Sequence, residues 1–437
     1  MKRRSFYIET YGCTSNKADS LIISKILKDN GYYEINFEEA EFIIINTCAV
    51  KQQTENKIKS RLKQLYNRYK NDNNKHFIIA GCLPHIDSNY IDVVKNLIPN
   101  FSAILDLDNF NELSAILDKI SKGNRNLIIH KEHKVDKSEY LIDYPKGKIT
   151  GILPISEGCL GSCTYCCVKN ARGNLNCYDP ENIVKNAEFQ LKKGIKQLYL
   201  TSQDCSTYEY RSTKLVDLIT SITNLNYEFF LRMGMLNPSF LIENYNQLSF
   251  IYTLKKVYQF LHIPLQSGSD TVLKKMNRHY KISDIKESLT TLRTKFPYLS
   301  ISTDIICGFP EETESNFQET LDLITWLKPE ILNISKFTIR PGTKARNMDQ
   351  VESREIKERS IRLSKIFRTS LININEKWNN WEGRVLILHK GSKVNQAFGR
   401  NFAYKNIFVE NFKGNYGSFI DARVNKVDGF NLYAEQI

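Results

Sequence analysis

The sequence predicts an α/β protein in three parts: an N-terminal doubly wound parallel sheet, a central partial (β/α) barrel, and a C-terminal small antiparallel β-barrel. Three observations carry this reading. Strand-sized apolar runs alternate with helix-length segments through the first two parts, which is the pattern of parallel sheets. A polar, charged stretch near residue 140 separates those parts, and from Glu376 onward glycines punctuate short alternating runs. At 437 residues the chain is also longer than one hydrophobic core serves, so two or three domains are expected.

In the first part, residues 6–10, 42–47 and 77–80 read as strands with helices between them, which gives a domain over 1–125. A linker is expected over 126–148, where a short apolar run at 127–129 gives way to polar sequence ending near Pro145-Lys146-Gly147. The central domain, 149–375, shows six strands near 151–155, 196–201, 228–232, 259–264, 301–307 and 331–337. Chemistry in such a barrel is expected at the carboxyl ends of the strands. The last domain, 376–437, carries Gly383, Gly391, Gly399, Gly414, Gly417 and Gly429 between its short strands.

Composition bounds the function. With 41% hydrophobic and 25% charged residues the chain is of ordinary globular type. No apolar run approaches the roughly 20 residues of a membrane span, and the basic start Met1-Lys2-Arg3-Arg4 is not followed by a signal-peptide core. A cytoplasmic protein without a membrane partner is expected, and with it thiols or metal ligands rather than disulfides for the ten cysteines. The net charge of +13, from 61 basic and 48 acidic residues, suits a polyanionic partner.

Cys13, Cys48 and Cys82 each follow a predicted strand within a few residues. Loops at the carboxyl ends of a parallel sheet border one crevice, so the three thiols are expected to converge and could hold a metal or cluster. The alternative is three buried core cysteines. Directly after the first strand of the second domain comes Glu157-Gly158-Cys159-Leu160-Gly161-Ser162-Cys163-Thr164-Tyr165-Cys166. Three thiolates so spaced can ligate three irons of a four-iron cluster and leave the fourth without a protein ligand. A structural zinc site wants four closed ligands, and no paired Cys-x2-Cys or His pair follows.

This Cys-x3-Cys-x2-Cys spacing resembles that of radical S-adenosylmethionine enzymes. The whole chain is similar to the methylthiotransferase family, which joins an N-terminal domain with three cluster cysteines, a radical domain and a C-terminal TRAM RNA-binding barrel. The resemblance runs through Thr10-Tyr11-Gly12-Cys13-x2-Asn16, Asn46-Thr47-Cys48-Ala49-Val50, Gly81-Cys82, the Cys159 loop, Thr201-Ser202-Gln203-Asp204, His262-Ile263-Pro264-Leu265-Gln266-Ser267-Gly268-Ser269, Thr303-Asp304-Ile305-Ile306, Gly308-Phe309-Pro310 and Arg340-Pro341-Gly342-Thr343. Leu160-Gly161-Ser162 and Lys169-x-Ala171-Arg172-Gly173-x-Leu175 resemble the archaeal and eukaryotic branch acting on threonylcarbamoyladenosine in tRNA. The other branches act on isopentenyladenosine of tRNA or on a ribosomal-protein aspartate. Cys205, Cys307, Glu311 and Lys344 depart from the family pattern without touching a cluster ligand.

The resemblance implies two 4Fe-4S clusters, one on Cys159, Cys163 and Cys166 and an auxiliary one on Cys13, Cys48 and Cys82. It implies S-adenosylmethionine as radical source and methyl donor, tRNA bound by its anticodon arm, an electron donor such as flavodoxin or ferredoxin, and a monomeric enzyme. The radical would take a hydrogen from carbon 2 of the adenine ring, and the auxiliary cluster would carry the sulfur. Gln203, Asp204, Arg232, Gln266, Ser267 and Asp304 are expected to contact S-adenosylmethionine or the nucleoside, with Gly308 letting backbone approach adenine. Ordinary loop capping and barrel-mouth hydrogen bonding are the alternative for each of the polar residues. Cys167, Cys177, Cys205 and Cys307 are read as structural.

From Glu376 onward the chain has nine Lys or Arg, six Asp or Glu and eleven aromatics, a composition suited to phosphate attraction and base stacking. Gly399-Arg400-Asn401-x-x-Tyr404-Lys405 resembles the TRAM signature, which makes Arg400 and Lys405 the expected RNA contacts. The basic stretch from Lys51 to Lys75, with Lys57, Arg61 and Arg68, is expected to be a solvated helix face.

Overall fold

The computed structural model describes residues 4–87, 89–106, 108–129 and 134–437, so part of the expected linker, 130–133, lies outside the described residues. The chain divides into two compact units. The first comprises 1–143, 154–186 and 339–346, the second 144–153, 187–338 and 347–437.

In the first unit, strands β1 (Ser5–Thr10), β2 (Tyr33–Glu34), β3 (Phe42–Thr47), β4 (His76–Gly81), β5 (Ala103–Leu105) and β6 (Leu127–Ile129) form a six-stranded sheet ordered β2-β1-β3-β4-β5-β6, with every pairing parallel. Every residue of β3 and β4 is buried, as apolar runs must be when helices cover both faces of a parallel sheet. The sheet takes in 127–129, which the sequence reading had assigned to the linker; the short apolar run there pairs with β5 rather than crossing open to solvent. Helix α1 (Thr14–Asp29) starts one residue after Cys13, and helix α2 (Gln52–Tyr69) buries Ile58, Leu62 and Leu65 at helical spacing. The opposite face of α2 is the basic stretch, where Lys57 and Arg68 are exposed, Lys59 pairs with Glu55 and Arg61 with Glu9.

In the second unit, Thr150–Pro154, Gln197–Thr201 and Phe230–Arg232 make one three-stranded sheet, and Phe260–His262, Ser300–Cys307 and Ile331–Lys336 make another. Parallel bridges Leu231↔Val257 and Met235↔His262 join them into the six-stranded open barrel that the sequence predicts. The C-terminal strands Glu382–Lys390, Ala397–Asn401, Asn406–Glu410, Phe419–Val427 and Leu432–Gln436 close into a five-stranded barrel. It is not wholly antiparallel. A closed ring with an odd number of strands cannot alternate direction all the way round, and here Asn406–Glu410 and Leu432–Gln436 run parallel.

Trp378 fills the end of this barrel's core, fully buried against Tyr298, Trp381 and Phe402. Among the described residues no helix is long and apolar enough to cross a membrane. Replacing Trp378 by Ala is expected to cost about 3–5 kcal/mol, the range for emptying a large core site, read as a lower urea midpoint; an unchanged midpoint would mean that the barrel does not depend on this ring.

Candidate functional site

Both cysteine triads belong to the first unit. Cys13, Cys48 and Cys82 follow β1, β3 and β4, and the parallel register of those strands brings their loops to one edge. Cys48 and Cys82 are buried while Cys13 is exposed. Glycines make the convergence possible. Gly12 has φ +112, and a Cβ there would lie 2.5 Å from Cys48 Cβ and 2.7 Å from its sulfur. Gly81 has φ +97, and a Cβ would fall 2.3 Å from the Thr47 carbonyl. Asn16 of α1 braces the rim: its amide donates to the Thr47 carbonyl at 2.8 Å, and its Oδ1 accepts from the Cys13 thiol at 3.2 Å. Burial pushes the Cys82 thiol up to about 12, with Cys13 and Cys48 adding like charge, while Arg172 opposes the shift.

The Cys159 loop has the same economy. A Cβ on Gly161 would lie 3.3 Å from the Cys159 sulfur and 3.9 Å from that of Cys163, so the bare backbone leaves room for both. Cys159, Cys163 and Cys166 are all half-buried. Burial raises Cys166 to about 12, with neighbouring thiols adding to the effect. Sites of this kind hold thiolates only against a cation, and an iron centre supplies one. Among the described residues no three His, Cys, Asp or Glu side chains close round a single ion. A four-iron cluster spreads its three ligands over three irons, so the donor sets fit such a group rather than a lone metal.

Between the triads lies a buried group of four charges. Arg172 donates to Asp19 at 2.8 Å and to Glu157 at 2.6 Å, and Lys137 reaches the same carboxylates at 3.2 and 2.5 Å, all four side chains being at most 3% exposed. Burial alone would raise Glu157, but Lys137 and Arg172 outweigh it and hold the carboxyl at about 2. Nε of Arg172 donates to the Cys82 sulfur at 3.3 Å. Arg172 entered the sequence reading only within a family motif; nothing local in the sequence shows whom it meets. Arg340, of the Arg-Pro-Gly-Thr turn, is likewise buried and bonds Glu55 and Gln52 of α2 and the Ala49 carbonyl. Cys167 is buried and directs its thiol at the same carbonyl, 3.5 Å away, as a structural residue would.

In the second unit the expected ligand contacts separate into groups. Asp304, partly exposed within the strand Ser300–Cys307, pairs at 2.6 Å with His262 at the end of the strand Phe260–His262, a partner that sequence reasoning quoted but did not assign. Gln266 stands beside them with φ +67, its backbone bridging to Asp304 and Ile306, and Gln203 is half-buried after the strand Gln197–Thr201. The other four have structural employment. Oδ1 of Asp204 caps the backbone amides of Ser206 and Asn237. Ser267 is fully buried and meets Thr320 and the Ser269 amide. The guanidinium of Arg232 lies over the rings of Tyr199, Phe260 and Tyr404, so it joins sheet to barrel instead of presenting a free charge. Gly308 is required by helix packing, since a Cβ there would sit 2.3 Å from Ile356 Cγ1. Cys205 and Cys307 are fully buried, as a structural role requires.

The structure places both expected RNA contacts in packed positions. Lys405 is buried and donates to Asn375 at 2.6 Å, and burial lowers its pKa to about 8. Arg400 packs over the Tyr404 ring at 3.7 Å and donates to the Tyr404 carbonyl. Their shared motif is a turn: Asn401 Oδ1 accepts from the amides of Ala403 and Lys405, and Tyr404 takes φ +61. The barrel's outer face instead carries His389, Phe398, Phe408 and Tyr433 in register across four strands, with successive ring centroids 4.6, 5.4 and 5.8 Å apart. Lys393 and Lys426 stand over Tyr433. Strand alternation marks Phe398, Phe408 and Tyr433 as outward-facing, each between buried neighbours such as Ala397 and Gly399 or Ile407 and Val409, but only the register sets them and His389 in one row.

Comparison with known proteins agrees with this geometry. Residues 153–324 match the model of the Radical SAM superfamily, and residues 5–101 match that of the family described as Uncharacterized protein family UPF0004. A radical S-adenosylmethionine methyltransferase from Kitasatospora setae, solved with cobalamin and a 4Fe-4S cluster, superposes with TM-score 0.59 at 12% identity over 79% of this chain and 77% of that one, a likeness of fold. The class is therefore a radical S-adenosylmethionine enzyme, which carries with it S-adenosylmethionine and a 4Fe-4S cluster. A probable threonylcarbamoyladenosine tRNA methylthiotransferase of Pyrococcus horikoshii is 36% identical over 99% of both chains, and one of Methanocaldococcus jannaschii 35% identical over 99% of this chain and 96% of that one. The threonylcarbamoyladenosine tRNA methylthiotransferase of Drosophila melanogaster is 29% identical over 98% of this chain and 77% of its own. The chain belongs to the threonylcarbamoyladenosine tRNA methylthiotransferase family.

Two measurements test these placements. Gly12→Ala forces its Cβ against Cys48 in a left-handed backbone, so the purified chain should keep its circular dichroism but carry less iron; full iron content would show that the triad is not set by this contact. For Lys405, the folded pKa of about 8 lies below the ordinary 10.5, so the unfolded chain holds the extra proton between those values and stability rises with pH across that window. Lys405→Met should remove that part of the rise in urea midpoint between pH 8 and 10.5; an equal rise in both chains would place the ammonium in water.

Proposed function

We propose that this chain methylthiolates carbon 2 of N6-threonylcarbamoyladenosine beside the anticodon of tRNA, in the cytoplasm. The observation that carries the proposal is the pairing of two cysteine triads in one unit, since substituting an unactivated ring carbon needs both a radical source and a sulfur source. Cys159, Cys163 and Cys166 would hold the cluster that leaves one iron open, and Cys13, Cys48 and Cys82 a second cluster. Bound together with S-adenosylmethionine, the first group supplies radical chemistry for a carbon–hydrogen bond that acid-base catalysis handles poorly.

The chain's own residues bind, orient and shield. Gly12 and Gly161 keep space open beside the sulfurs, and Asn16 fixes the rim of the N-terminal triad. In the second unit Gln203, Gln266 and the His262–Asp304 pair are the polar groups best placed to orient S-adenosylmethionine or the nucleoside, because Asp204 is engaged with Ser206 and Asn237 and Ser267 with Thr320. For the RNA, the row His389, Phe398, Phe408 and Tyr433 offers stacking surface flanked by Lys393 and Lys426. Electrons would come from a small carrier such as flavodoxin or ferredoxin.

The test is mass spectrometry of nucleosides from tRNA of a host with and without the gene. Methylthio-threonylcarbamoyladenosine should appear only with the gene and vanish with Cys163→Ala. A gene-dependent methylthio-isopentenyladenosine would transfer the activity to another nucleoside, and unchanged tRNA would refute the assignment.

A further inference from the structure

We propose that Arg172 is a positioning residue for a cluster on Cys13, Cys48 and Cys82, fixing the Cys82 sulfur and raising the cluster's reduction potential; this rests on the reading that these cysteines hold a second cluster. Arg172 stands six residues after Cys166, in the segment that carries the other triad, yet its Nε–H points at the sulfur of Cys82, 3.3 Å away. The rest of the guanidinium is held from behind. One Nη donates to Glu157 at 2.6 Å, and the other donates to Asp19 at 2.8 Å and to Asn16 Oδ1 at 3.4 Å.

Asn16 in turn accepts from the Cys13 thiol, so one side chain links the guanidinium to a second ligand of the triad. Lys137 closes the arrangement from the far side of both carboxylates and makes it two cations against two anions. A buried arginine locked on three sides in this way presents a fixed N–H donor and the near end of a positive charge to a sulfur. Hydrogen bonds to cluster sulfurs and net local charge are the levers by which a protein sets an iron-sulfur potential, and positive charge near the cluster favours the reduced form. Arginine suits the task because its planar fork serves the carboxylates and the sulfur at once, which a lysine ammonium cannot do from the same position.

The experiment uses the full chain with Cys159, Cys163 and Cys166 replaced by Ala, so that only the N-terminal triad can load. If this parent takes up no iron and sulfide on anaerobic reconstitution, the reading of a second cluster fails and the proposal falls with it. If it loads, its potential is measured by dye-mediated titration with electron paramagnetic resonance and compared with two charge-balanced variants. Arg172→Gln with Glu157→Gln removes the donor and leaves Lys137 paired with Asp19. Lys137→Met with Glu157→Gln removes the same number of charges and keeps Arg172. The potential should shift negative, or the cluster be lost, in the first variant only, with the second staying near the parent. Equal shifts in both, loss of cluster from both, or no shift in either would overturn the proposal, since each is what a merely structural Arg172 would give.

Discussion

The buried four-charge group of Asp19, Lys137, Glu157 and Arg172 is the constraint on which the rest of the first unit depends. Taking two carboxylates and two cations out of water carries a desolvation cost of several kcal/mol per ion in general, repaid only where geometry and hydrogen bonding are nearly complete. Here each carboxylate meets both cations. The four residues come from α1, from the segment leading out of the N-terminal sheet, and from either side of the Cys159 loop. Removing any one leaves an unpaired charge in a dry interior, so the loop cannot drift from the sheet without a heavy penalty.

That rigidity gives the cysteines their meaning. The triad of the first sheet is set by topology, since strands 35 and 34 residues apart in their cysteine spacing must place equivalent loops side by side. The triad of the Cys159 loop is set by local chain geometry. Both were legible in the sequence for those reasons, as were the six strands of the central barrel, whose apolar runs have strand length and regular separation. What joins the two triads was not legible. Arg172 meets Asp19, Asn16 and Cys82, all more than 80 positions away, and no periodicity or spacing rule reaches across that distance.

The C-terminal barrel teaches the converse. Its composition announced a small β-domain, and its closure bears that out. The motif around Arg400 and Lys405 is a local signal, and it describes a turn: the asparagine cap and the left-handed Tyr404 fix the backbone, while Lys405 is turned inward to Asn375 and Arg400 lies flat on a ring. A charged residue in a motif is a statement about chain conformation before it is one about partners. The aromatic row on the barrel's outside carries no motif, because it is assembled from one residue on each of four strands and exists only in register.

The first unit is discontinuous along the chain, drawing its last piece from residues 339–346. That piece contributes Arg340, which bonds the buried Glu55 of α2 and the carbonyl of Ala49, next to Cys48. A ribosome releases the chain from its N-terminus, so all six cysteines emerge well before the arginine that completes their surroundings. Until then Glu55 lacks its Arg340 partner and the backbone beside Cys48 is unbraced. The N-terminal unit is therefore complete only once residues 339–346 have been made, so its final packing waits on synthesis of most of the central barrel.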